Sequence, residues 1–475
     1  MRILFHVNLR TMLRHFDGVV LELARRGHDV RIASSPNRHD VAPPPELAGH
    51  ERISFVLAPG DRSDAWAERI TQMRAFRDYL RYFDHRFTKA PKLRGRAVRK
   101  FMSEITDKDR RHQVAFCARC EGRLVDGDVA QVIRQGLSKR GWTNLAAVLA
   151  LMEDTIPSDP AIDAFLRSEQ PDVLVITPLI RMASTQPEFV KSARTLGIPS
   201  VFPVFSWDNL SSKGLVHVQP DAVLVWNERQ RSEAVSMHAV PYERITVTGA
   251  PRFDTFFAMR PQQSRADFCS AHGFDPSRPI VTYLGSSDFV SSREREFVSR
   301  WIEEIRREPA LAGGNILVRP HPREWKEWKS FVAPPGVALS RPQDMNGDQT
   351  LYDTVHHSAA VVGLNTSAEL EAGIVGRPVF TIRAPEFAQG QEGSLHFDYL
   401  VNEQGGFVEA AADFETHRRQ LARAVAGEFD AAAIRHFIGE FLRPHGADRP
   451  ATPIMADAIE AMMPVTAAEP ASSAS

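Results

Sequence analysis

The chain opens on Met1-Arg2-Ile3-Leu4-Phe5-His6-Val7, and a second apolar run, Asp29-Val30-Arg31-Ile32-Ala33, follows soon after. Between them Val19, Val20, Leu23 and Ala24 recur at helical spacing, and Gly27 stands where a helix C-cap belongs. Two β-type runs joined by one helix make a βαβ unit, and strands joined in that way lie parallel. This stretch sets the fold class to α/β.

Working outward, similar runs recur at 53–57, 173–176, 200–204, 222–225 and 245–247. The rhythm then restarts at 280–284, 315–318, 360–363 and 378–382. Two α/β halves, joined near 249–254, fit a chain of 475 residues, which is too long for one ordinary core. The expected division is 1–255, then 256–464, with a small, polar, disordered tail at 465–475. Residues 60–150 break the rhythm and predict a mostly helical insertion in the first half.

Hydrophobic residues at 43% and charged residues at 25% exclude a largely disordered chain. The net charge of −1 gives no global drive toward nucleic acid. It hides a local imbalance, however: 69–100 holds eleven Lys/Arg against two Asp/Glu, with Phe76, Tyr79, Tyr82, Phe83 and Phe87 interleaved. Such a stretch is either a solvated helical face or a peripheral docking surface for anionic lipid or a pyrophosphate-linked acceptor. Three cysteines (Cys117, Cys120, Cys269) make no disulfide framework, and no apolar run reaches the length of a signal core or a membrane span. A cytoplasmic protein, able to sit on the inner face of the membrane, is the expectation.

Several motifs are missing. There is no GxxxxGK[ST] loop and no GxGxxG after the first strand. Cys117 and Cys120 form a lone CxxC beside His112, short of the four ligands of a structural zinc, and Asp126-Gly127-Asp128 reads as a turn. No metal is expected.

Four clusters in the second half fall at strand ends, where open α/β sheets bind ligands. Gly285-Ser286-Ser287 is a small loop through which backbone N–H groups and hydroxyls can approach a phosphate. Arg319-Pro320-His321-Pro322 holds a cation and an imidazole between two prolines that restrict the backbone. Asn365-Thr366-Ser367 leads into a helix, where such residues either cap it or help hold an anion. Glu371 lies one turn beyond Ser367, so a carboxylate and a hydroxyl share a face, spaced as the ribose and phosphate of a nucleotide would require.

In this order, small loop, Arg-Pro-His-Pro, Asn-Thr-Ser…Leu-Glu-Ala (365–372) and Gly-Arg-Pro-Val (376–379), the motifs resemble the C-terminal domain of GT-B glycosyltransferase-type proteins. The likeness is to bacterial surface and capsular polysaccharide transferases with a His-Pro motif, including Kdo- and sialyl-type enzymes and CDP-glycerol glycerophosphotransferases. Val247-Thr248-Gly249-Ala250-Pro251-Arg252-Phe253-Asp254 also resembles the interdomain segment of these proteins and of UDP-N-acetylglucosamine 2-epimerases.

The resemblance implies two Rossmann-like domains with parallel sheets facing an interdomain cleft, an acceptor half and then a donor half. It implies transfer of a sugar from a nucleotide-activated donor to a hydroxyl of a surface glycan or lipid-linked acceptor. The donor is a substrate rather than a cofactor, CMP- or CDP-linked by family leaning, with UDP-linked donors open. Arg319 and His321 would meet its phosphates, Gly285, Ser286, Ser287, Asn365, Thr366 and Ser367 would support them, and Glu371 would hold the ribose. In some GT-B families a His after the first strand is the catalytic base. Met12 stands at that place here, which leaves His6, His15, Asp17 and Asp208 as local substitutes, with Asp208 preferred. The alternatives are a glycerophosphotransferase or a 2-epimerase on the same scaffold, or an inactive GT-B module that binds a partner in an envelope-assembly complex.

Overall fold

The structure is a computed structural model and describes residues 1–35, 42–104, 139–182, 184–341 and 347–462. The readings made above for His112, Cys117, Cys120, Asp126, Asp128 and the tail lie outside these residues. Among the described residues the chain forms two compact units, one of 1–78, 100–251 and 450–462, the other of 79–99 and 252–449.

The first unit is built on seven strands: β1 (Arg2–Val7), β2 (Asp29–Ser34), β3 (Ile53–Leu57), β4 (Val173–Thr177), β5 (Ser200–Pro203), β6 (Ala222–Val225) and β7 (Ile245–Val247). Their order is β3-β2-β1-β4-β5-β6-β7, and every pairing is parallel. β4, β5 and β6 are buried along their whole length, as expected of a sheet with helices on both faces. Two apolar clusters fill those faces. Leu4, Leu174, Phe202 and Val223 belong to one, and Ile3, Phe5, Val175 and Leu224 to the other.

The last helix, Ala451–Glu460, also belongs to this unit. Met455, Ala456 and Ile459 join the second cluster, while Arg26 pairs with Asp457 (2.6 Å) and Glu460 (2.7 Å). His28 Nε2 lies 2.6 Å from Glu460. The sequence boundary had carried the second domain on to 464; an apolar stripe on a helix shows that it must pack, not on which partner.

The second sheet has six strands: β8 (Ile280–Leu284), β9 (Asn315–Arg319), β10 (Val337–Leu339), β11 (Ala360–Gly363), β12 (Val379–Ile382) and β13 (Val408–Ala411). The order is β10-β9-β8-β11-β12-β13, again all parallel. The outermost strands, β10 and β13, went unread in the sequence. β10 is three residues long and half-exposed, and Val-Glu-Ala-Ala in β13 carries little apolar signal.

The basic stretch departs most from its two readings. Of its eleven cations only Arg69, Lys89 and Arg99 are exposed. Arg74 is buried and bonds both oxygens of Glu153 (3.0 and 2.6 Å) and one of Glu188. Arg62 reaches the other Glu188 oxygen at 2.8 Å, and Lys191 donates to Glu153 at 2.8 Å. Burial opposes ionisation of Glu153, yet Arg74 and Lys191 overcome it and hold its carboxyl down at about 2. Among the described residues no helix is long and apolar enough to cross a membrane.

Candidate functional site

Three of the four loops singled out in the sequence follow adjacent strands and leave them at one level. Leu284 at the end of β8 is in register with Arg319 at the end of β9 and with Gly363 at the end of β11. The strand order reverses between β8 and β11, which makes the crevice at their carboxyl ends the topological switch point of the sheet. The first unit repeats the device at β1 and β4.

Gly285 brings two of these loops into contact. A Cβ there would lie 2.8 Å from His321 N and 3.0 Å from Pro320 Cα, so only glycine permits the approach. Its N–H donates to Arg319 O at 2.8 Å. His321 is half-buried, and its Nδ1 accepts from Arg323 N–H at 3.3 Å. A neutral ring in that arrangement carries its proton on Nε2, which leaves that nitrogen the donor. Arg319 Nη2 donates to Thr350 Oγ1 at 3.0 Å beside a cavity of about 930 Å³, whose walls include Trp325, Phe331, Arg341 and Asp353.

Ser286 is buried, and its Oγ has no hydrogen-bond partner among the described residues. Its N–H is taken by Glu294, both oxygens of which lie within 3.0 Å. Ser287 and Thr366 are half-buried and Ser367 is exposed, whereas Glu371, a turn further on, is 8% exposed. Asn365 has φ 133°, a left-handed backbone that an asparagine adopts only under constraint. Its side-chain amide donates inward to Gly390 O (2.8 Å) and Ser394 Oγ (3.0 Å), so it clasps the loop rather than facing out.

In the first unit, His15 lies after β1 with its ring edge on Phe205, centroids 5.1 Å apart. Asp17 begins the helix Asp17–Arg25 and accepts from Gly18 N–H at 2.7 Å. Asp208 accepts from Ser206 Oγ (2.6 Å), Ser212 Oγ (2.8 Å) and Lys213 Nζ (2.8 Å), so three donors occupy its carboxylate. His6 points into the core against Phe189, 3% exposed, and burial pushes its pKa down to about 3. Of the substitutes for a base, His6 is thereby a neutral core histidine.

No family model and no curated protein matches the sequence. Solved structures match over nearly all of it. A glycosyltransferase from Rickettsia africae superposes with a TM-score of 0.51 at 10% identity, covering 97% of this chain and 98% of that one. The chain has a GT-B fold. UDP-GlcNAc 2-epimerase from Methanocaldococcus jannaschii (TM-score 0.49, 12% identity, 97% and 100% covered) and WaaG, a glycosyltransferase involved in lipopolysaccharide biosynthesis (0.45, 11%, 97% and 99%), superpose less well.

Two residues of the second sheet's loops escaped the sequence reading. Glu294 is 4% exposed, accepts from Tyr283 OH at 2.9 Å as well as from Ser286, and burial pushes its pKa up to about 7. Glu369 is 1% exposed and accepts from the N–H groups of Asn365 (3.1 Å) and Thr366 (3.3 Å); burial pushes it up to about 8. Both carboxylates therefore sit under the loops singled out above, and among the described residues their hydrogen-bond donors are backbone N–H groups and a tyrosine hydroxyl. Carboxylates at helix starts are so common on surfaces that sequence alone gives no sign of their burial. Among the described residues no group of three or more His, Cys, Asp or Glu is placed to hold a metal.

Proposed function

We propose that the protein transfers a glycosyl group from a nucleotide-activated sugar to a hydroxyl acceptor, with the donor held by the second unit. The observation that carries this is the shared level of the β8, β9 and β11 loops at the switch point, where Gly285 seats the Ser286–Ser287 loop against Arg319 and His321. Arg319 and the Nε2–H of His321 face the diphosphate, helped by Ser286, Ser287 and Thr366, and Glu371 takes the ribose hydroxyls. The cavity beside Arg319, with Trp325 in its wall, takes the base. The GT-B fold fits this reading, and the motif likeness to surface polysaccharide transferases is what points to a glycan or lipid-linked acceptor.

In the reaction, the acceptor oxygen bonds to the anomeric carbon as the bond from that carbon to the phosphate oxygen breaks, and the nucleotide leaves with the electron pair. Arg319 and His321 stabilise the charge that gathers on it. The acceptor proton passes to His15, which we prefer to Asp208 because Lys213 and two serines already consume the carboxylate.

Thermal-shift titration with CMP, CDP, UDP and GDP tests the donor site, because a ligand at 100 times its Kd stabilises by about 2.7 kcal/mol. One base should stand out, and the matching sugar nucleotide should yield a glycosylated product by mass spectrometry. Absence of any shift across the panel sinks the reading, as does unchanged nucleotide affinity in His321→Ala.

A further inference from the structure

The crevice described above lies at the carboxyl ends of the second sheet; at the amino ends of the same strands there is a cavity of about 550 Å³. The helix Gly347–His357 ends there on His356 and His357, just before β11 begins at Ala360. Arg377 stands two residues before β12, and Arg265 opens the helix Arg265–His272. Ser264 and Ser358 also line the cavity, and among the described residues no carboxylate does. Asp353 acts on both imidazoles and Asp267 accepts from Ser264 Oγ at 2.7 Å, but neither is part of the wall.

The hydrogen bonds of the two arginines go to backbone carbonyls. Arg265 donates to Pro276 O (3.0 Å), His357 O (2.9 Å) and Arg278 O (2.6 Å), and Arg377 donates to His356 O. Each guanidinium has more N–H donors than these bonds use, and Arg377 Nε is buried with no hydrogen-bond partner. Burial, then the charge of Arg265, push the Arg377 guanidinium below its ordinary value, and no carboxylate opposes them. The pair does cap the carbonyls that end the helix. A helix C-terminus carries only about half a negative charge, however, which leaves most of the two positive charges unmatched. Burial also lowers both imidazoles, so at neutral pH they are uncharged. His357 spends its proton on Gln263 O, 3.0 Å from Nε2, whereas the His356 ring, stacked on Tyr352, takes no hydrogen bond among the described residues and is open to donate.

We propose that this cavity binds a phosphate monoester, with Arg265 and Arg377 meeting the dianion and His356 donating to it. Guanidinium forks suit phosphate and carboxylate alike, but two of them beside a neutral donor match a dianion better than a single carboxylate. The volume falls within the range of small-molecule sites and leaves room for an organic group beyond the phosphate. The inference does not depend on the donor-site reading, because none of its cations is assigned to the donor.

Inorganic phosphate and glucose 6-phosphate are titrated calorimetrically into the full chain at matched ionic strength, with glucose and acetate as controls. Both phosphates should bind saturably and neither control should. Tighter binding of glucose 6-phosphate assigns the site to a phosphorylated metabolite, and equal binding assigns it to the free ion. Arg377→Gln should weaken both phosphates by about tenfold or more and His356→Ala by about threefold, the scale of one hydrogen bond to a charged group. Arg319→Gln/His321→Ala, at the opposite strand ends, should stay within about twofold of the parent. Should Arg377→Gln not melt cooperatively, His356→Ala is read in its place. Absence of saturable phosphate binding to the parent overturns the inference, as does parent-like binding by the folded variant. Acetate binding as tightly as phosphate overturns the ligand class. A loss in Arg319→Gln/His321→Ala that Arg377→Gln does not share puts the phosphate in the donor crevice, which overturns the inference and leaves the donor-site reading standing.

Discussion

Two sets of buried carboxylates in this molecule meet opposite fates. Glu153 in the first unit is flanked by Arg74 and Lys191 and is held down at about 2. Glu294 and Glu369 in the second are as deeply buried but take bonds from backbone N–H groups and a tyrosine, and they rise to about 7 and about 8. Burial acts on all three in one direction; cations reverse it in the first set, and dipoles only moderate it in the second. A paired charge locks the insertion to its unit, whereas a buried carboxyl with only dipoles around it takes up a proton near neutral pH, beneath loops proposed to receive a ligand.

The comparison breaks most readily at Glu153. Glu153→Ala leaves Arg74 and Lys191 buried without their shared carboxylate and should cost about 3–5 kcal/mol, read by urea denaturation. A loss below 1 kcal/mol would mean that water reaches the cluster. His321→Ala should next lower transfer by about 100-fold, the scale set by removal of one donor to a developing negative charge. Product formation at saturating donor reads it, and an unchanged rate removes His321 from the site.

Acidity sharpens the contrast. A carboxyl raised in the folded state binds its proton more tightly there than in the unfolded chain. Its contribution is fully present below about 4.5 and is lost as pH rises to about 7 for Glu294 and about 8 for Glu369. Buried His6 and His417, both lowered to about 3, act in the other sense and lose stability as pH falls from 6.5. Above about pH 7.5 the imidazoles of the unfolded chain have largely lost their protons and Glu369 is the one of these four still titrating, so the melting temperature should fall from about pH 7.5 to 8.5, and Glu369→Gln should flatten the fall. A variant as pH-sensitive as the parent refutes the assignment. The smallest effect is expected at Asp208. Asp208→Asn should cost about 1 kcal/mol of stability, through weaker bonds from Ser206, Ser212 and Lys213, and less than tenfold in transfer, while His15→Ala costs more.

Much of the second sheet was legible because its signals are local. β8, β9, β11 and β12 are short runs rich in apolar, β-branched and aromatic residues, and a glycine or proline marks the loop beyond each of the first two. Arg319 and His321 could be singled out for the same reason, standing at the end of a strand between prolines. Asp208 could not be judged from its neighbours in sequence, since its state depends on which donors a turn folds onto it. Glu294 resembles any helix-start glutamate until Tyr283 and Ser286 close around it.

The sequence by itself determined the α/β class, the succession of strands and the small polar loops at their ends that we propose receive phosphate, because strand period, helix period and turn residues act over a few neighbours. Only the tertiary structure decided that Arg74 meets a glutamate 79 positions away, that the last helix returns to the first, and that Lys92 and Arg96 settle on Phe289. Those outcomes turn on which buried charge finds a partner, and a chain pays that desolvation cost only where distant segments supply the counter-charge.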